Sequence, residues 1–144
     1  MAITQAMCTS FKLELFSSTH IFATAAGNTF KMALYDSTAT LSATTTAYAT
    51  TQEVVGTGYT AGGNSLTIPA GGVTTASQTA FVDFSDTSWA AASFTARGSE
   101  LYDSTAANKA VGVFDFGADK TVSAGTFTIQ FPTPDQDNAT LRIR

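Results

Sequence analysis

Residues 30–35, FKMALY, set Phe30, Met32 and Leu34 at every second position, with Lys31, Ala33 and Tyr35 between them. A helix brings a face round every three to four residues and a strand every two, so this spacing predicts a half-buried strand. Asp36-Ser37 follows as turn chemistry. The same period recurs at 126–131, TFTIQF, where Phe127, Ile129 and Phe131 face one way and Thr126, Thr128 and Gln130 the other.

From residue 29 onward the period is mostly two. Further strands are predicted at 80–84, 91–96, 109–116 and 140–143, and Leu66 and Ile68 enter another. Alternation sends Asp83 and Asp115 to the faces opposite Phe84 and Phe114. About seven short strands separated by turns predict an all-β, single-domain β-sandwich or partly open barrel of jelly-roll or immunoglobulin-like kind. LYDSTA occurs at 34–39 and again at 101–106, which reads as one strand-to-turn solution used twice.

Two segments interrupt the pattern. Residues 56–64, GTGYTAGGN, place four glycines around Tyr59 and predict a loop with several left-handed backbone positions. Residues 39–51 are Thr-rich and uncharged, and read as an extended arm or a loop that orders only against a partner.

The N-terminal stretch 9–18, TSFKLELFSS, holds two patterns. Phe11, Leu13 and Leu15 alternate as in a strand, yet Thr9 or Ser10 capping a short helix would put Phe11 and Leu15 on one face. The helix is preferred, giving an N-terminal arm or short helix over 1–28, packed on the domain or on a neighbour, and a β-sandwich domain over 29–144.

Composition agrees with a β-rich chain of 144 residues, one domain's worth. Thr (26) and Ala (24) occupy over a third of the positions, and stiff, β-branched Thr suits pleated strands. Charged residues make up 12%, about half the usual share, which predicts a surface hidden in contacts. The net charge of −4, with basic residues scattered apart from Arg142 and Arg144, argues against nucleic-acid binding through phosphates. No apolar run is long enough to span a membrane, no secretory signal is evident, and a lone Cys8 forms no disulfide within the chain.

Chemical motifs are sparse. His20 is the single histidine, without a nucleophile elbow, and reads as a structural hydrogen-bonding group. One Cys and one His do not make a zinc site, and the acidic cluster at 134–138, PDQDN, lacks the glycine and later Glu of an EF-hand, so it reads as a solvated turn. No phosphate loop is present. The expectation is a protein that is not an enzyme, with no cofactor and no metal. Candidate partner-binding residues are Tyr59, Trp89 and Tyr102, as aromatic anchors, and Arg97, isolated among basic residues between Lys31 and Lys109.

Five stretches together, AITQAMCTSFK (2–12), TFKMALYDSTATL (29–41), GTGYTAGGNSLT (56–67), SFTARGSELYD (93–103) and VFDFGADKTVSAGTFTIQFP (113–132), resemble a family of small β-rich virion structural proteins of tailed bacteriophages. The resemblance spans nearly the whole chain. It implies a capsid decoration, or cement, protein that binds the major capsid protein lattice and copies of itself, with a homotrimer as the leading assembly. Its place would be the capsid surface of the virion, after synthesis in the host bacterial cytoplasm. The alternatives are a neck, tail or fibre-adaptor protein, or a carbohydrate-binding surface module that stacks Tyr59 or Trp89 on sugars.

Overall fold

The computed structural model describes residues 2–144 and is dominated by one long antiparallel hairpin. Its arms are β6 (Thr87–Asp103) and β7 (Lys109–Ile129). Over Thr87–Ala96, where the 56–64 loop covers one face, β6 is half-buried: Thr87, Trp89, Ala92, Phe94 and Ala96 are buried and the residues between them exposed. From Gly98 to Tyr102 the same strand is covered on both faces because other elements pack there.

Three of these elements are short strands of the same sheet. β1 (Ala6–Met7) pairs with β7, β2 (Phe30–Tyr35) pairs with β6 from Phe30↔Asp103 to Tyr35↔Gly98, and β3 (Asn64–Ser65) pairs with β2. The resulting order is β1-β7-β6-β2-β3. A second sheet, order β4-β5-β8, is formed by β4 (Val73–Ala76), β5 (Thr79–Val82) and β8 (Leu141–Ile143). Helix α1 (Thr9–Phe16) precedes β2. The fold is therefore an all-β sandwich of two antiparallel sheets with a short N-terminal helix.

Register divides the main sheet into two chemically different faces. Residues opposite each other share a face, so Phe30, Met32 and Leu34 lie with Leu101 and Ser99, while Ala33 and Tyr35 lie with Glu100 and Gly98. On the first face Phe30 stacks on Phe22 at 4.3 Å, and Phe11, Phe84 and His20 complete an aromatic cluster. On the second face sit the side chains of the 39–63 segment described below.

Several expectations are corrected. The predicted strand at 109–116 and residues 126–129 of the one predicted at 126–131 are parts of the single strand β7, which ends at Ile129 and whose middle is polar because both of its faces meet solvent there. Irregular backbone absorbs the accumulated twist: Gly117 (φ 76), Ala124 (φ 47) and Ala91 (φ 48) are left-handed, and the β6–β7 register slips between Trp89 and Phe94. The strand expected at Leu66 and Ile68 is β3, and it ends at Ser65; the Leu66 N–H still reaches Phe30 O, but the chain then leaves the sheet ahead of Pro69. Asp83 follows the last residue of β5 and is buried together with Phe84, accepting hydrogen bonds from the Phe84 N–H and the Thr140 hydroxyl.

Helix α1 forms, but neither Thr9 nor Ser10 caps it. Its N-cap is Cys8, with no side-chain hydrogen bond, and Phe11 is buried while Leu15 packs against the core. The 39–51 segment is ordered against its own chain. Thr9 N–H bonds to Ala43 O, Tyr48 N–H to Asn108 O and Ala110 N–H to Thr46 O, and Ala39 and Leu41 are buried. The two LYDSTA copies do share one turn: Asp36 Oδ1 accepts from Thr38 N–H at 2.7 Å, and Asp103 Oδ1 from Thr105 N–H at 3.0 Å.

Candidate interaction surface

The four tyrosines of the chain, Tyr35, Tyr48, Tyr59 and Tyr102, converge around Glu53 and Glu100. Glu53 accepts from Tyr48 Oη and Tyr59 Oη, both at 2.6 Å, and from Gly62 N–H at 2.7 Å. Tyr35 Oη donates to Glu100 Oε2, Tyr102 Oη donates to Gly62 O, and the rings of Tyr48 and Tyr102 stack at 4.6 Å. The glycine loop makes this possible. Gly58, Gly62 and Gly63 have φ of 78°, 92° and 66°, and a Cβ on Gly63 would lie 1.8 Å from Met32 O. Burial pushes the Glu100 carboxyl up to about 7; the Tyr35 hydrogen bond opposes this and the charge of Glu53 adds to it.

A second polar cluster ties the N-terminal arm to the hairpin. His20 Nε2 lies 2.8 Å from Glu14 Oε2 and His20 Nδ1 2.9 Å from Asp103 Oδ2. Lys109 Nζ donates to Glu14 Oε1 at 2.7 Å, and Asn28 donates to Asp103. Burial favours the neutral acid at Glu14, but the hydrogen bonds from Lys109 and His20 outweigh it and hold this carboxyl below its usual range. Every group in the cluster is engaged within the chain, so His20 acts as a strut between α1 and the end of β6.

The partner-binding candidates separate accordingly. Trp89 (4% exposed) and Tyr102 (2% exposed) are interior residues and present no face to a partner. For Trp89 the reason is its place on the inner side of the hairpin, against Tyr59 and Phe127. Tyr59 is half-buried, with its hydroxyl engaged by Glu53 and the Leu34 N–H and its ring near Trp89 and Phe94. Arg97 Nε pairs with Asp115 Oδ1 at 3.2 Å at the partly exposed edge of the hairpin. At the PDQDN turn, Asp135 accepts from the backbone N–H groups of Asp137 and Asn138 and from the Asn138 side chain, and no metal-holding group of acids, His and Cys occurs among the described residues. No helix among them is long and apolar enough to cross a membrane.

The surface feature that sequence patterning missed lies between α1 and the small sheet. Val82 is paired with Val73 and with Leu141, and Ala80 with Ile143, so these side chains share one face. That face meets Met7, Phe11, Leu15 and Phe22 across an almost wholly apolar groove of about 320 Å³. The groove continues into a recess bounded by Leu15, Phe16, Ile143, Lys12, Arg142 and Arg144. Phe16 is 91% exposed and Ile143 56%, so large apolar groups stand in water at its mouth. Only Phe11 and Leu15 carried a helical signal toward it; its other wall depends on pairing of the β4–β5 hairpin with β8, which is distant in sequence.

No protein-family model, no curated protein and no solved structure matches this chain.

Proposed function

We propose that this protein is a non-enzymatic structural component of a tailed-phage virion, a capsid decoration protein that binds the major capsid protein lattice and stabilises the head. The observation that carries this reading is the apolar groove with Phe16 at its mouth, a surface whose free energy falls when another protein covers it. Two further features support it. The acids and the histidine of the two polar clusters are spent on internal hydrogen bonds rather than aimed into a cleft. The low charge and the family resemblance of the five stretches supply the setting, with a homotrimer as the assembly and repeated modest contacts adding through multivalency.

The test is the copy number of the protein in purified virions, measured against the major capsid protein by quantitative mass spectrometry. A ratio near unity, together with DNA release at lower temperature from particles lacking the protein, is the expected result. A ratio of roughly a few hundredths, as a ring at a single vertex gives, would move the protein to the neck or tail.

A further inference from the structure

We infer that the groove between α1 and the small sheet receives an extended, acidic polypeptide segment with apolar side chains along one face, contributed by a different protein; this rests on the structural role proposed above. Three observations converge on that occupant. The first is the unfilled apolar gap: native interiors pack without voids of this size, and Val73 and Ile143 are each about half exposed on its wall.

The second is the edge. In the order β4-β5-β8, strand β8 is paired on one side only, and its Leu141 and Ile143 line the groove. An extended segment laid along β8 adds a fourth strand, and its alternate side chains fall into the gap.

The third is charge. Lys12, Arg142 and Arg144 bound the recess, in a chain with seven basic residues and a net charge of −4. Lys12 makes no ion pair among the described residues, and the contacts of Arg142 with Asp137 O and of Arg144 with Gln136 O and the Asp137 carboxylate are exposed. A partner with Asp or Glu on the face away from its apolar side chains complements this rim. A second copy docking here about a twofold axis would bring the same cations together, and a single acyl chain would fill the gap while leaving Phe16 in water.

Selection of a random peptide library on the immobilised full-length chain, with Ala80→Trp as the groove-blocked counter-target, tests the inference. Ala80 is exposed at the groove wall, and Ile143→Glu serves as an independent blocking variant. Enriched peptides are expected to alternate Asp or Glu with aromatic or aliphatic residues. Their synthetic forms should bind about tenfold more weakly to the Lys12→Glu/Arg144→Glu variant and weaken with added salt. No enrichment over both blocked variants, or enrichment of neutral or basic peptides indifferent to the double charge reversal, overturns it. Self-association in sedimentation equilibrium that Ile143→Glu abolishes overturns it in favour of a second copy. The selection needs no particle, so its failure leaves the virion reading standing, and a copy number that excludes the capsid leaves the groove result standing.

Discussion

The Tyr35 hydroxyl lies 3.0 Å from Glu100 Oε2 and 2.7 Å from Ala49 O, so its one proton is shared between two acceptors on the face of the β2–β6 pair that the 39–63 segment covers. Glu100 Oε1, fully buried, has no hydrogen-bond partner in the protein. One carboxylate is thus half-solvated by a tyrosine and otherwise surrounded by protein.

This arrangement sets a pH dependence. The Glu100 carboxyl is raised from 4.5 to about 7 in the folded chain, so its contribution to stability is fully present below 4.5 and is lost as pH rises through about 7. The loss amounts to about 3 kcal/mol. Denaturation of wild type and Glu100→Gln across this range should show the difference between them shifting in favour of the variant as pH rises; a constant difference would refute the assignment.

His20→Ala should cost about 3 kcal/mol, because it leaves Glu14 and Asp103 buried beside an empty space. The loss should be local at first. Hydrogen exchange is expected to accelerate over 9–28 before the hairpin, whereas uniform acceleration would contradict the strut role. At low pH the wild type should lose the same tie, since Glu14 is held below its usual range and its contribution disappears as it protonates.

Gly63→Ala should destabilise the fold by about 3 kcal/mol or more, since the added methyl meets the Met32 carbonyl in a left-handed position. Tyrosine fluorescence should report loosening of the Tyr48–Tyr59–Tyr102 cluster. Gly71→Ala gives the control: φ is 77° there too, but nothing lies within 4 Å of the added carbon, so only the backbone term of about 1 kcal/mol applies.

Cys8 should be inert to thiol reagents in the native protein. It is buried, and burial first, with the charges of Glu100 and Glu14, pushes its thiol up to about 12. Stoichiometric labelling is expected only in denaturant; labelling at the rate of a free thiol in native buffer would place Cys8 in a mobile N-terminus.

Phe16→Ser should leave thermal stability within about 0.5 kcal/mol of wild type, because the ring is 91% exposed. Attachment to particles, measured by co-sedimentation, should weaken about tenfold. Undiminished attachment would remove the groove mouth from the binding surface.

Local rules made much of this chain legible. The strands at FKMALY and at 126–129 of TFTIQF, the glycine-rich bend around Tyr59 and the repeated Asp-Ser-Thr turn are properties of neighbouring residues and appear in the structure, but β2 is buried on both faces rather than half-buried, because the 39–63 segment covers its second face. An outward-facing strand such as β4 gave no apolar period to read, and the polar middle of β7 looked like a break because solvent, not a turn, lies against it. The tyrosine–glutamate cluster, the Glu14–His20–Asp103–Lys109 strut and the apolar groove were decided by tertiary structure alone. Each joins side chains dozens of residues apart, and only strand pairing and register determine which of two faces a residue occupies; that same choice took Trp89 and Tyr102 into the interior and left Phe16 in water.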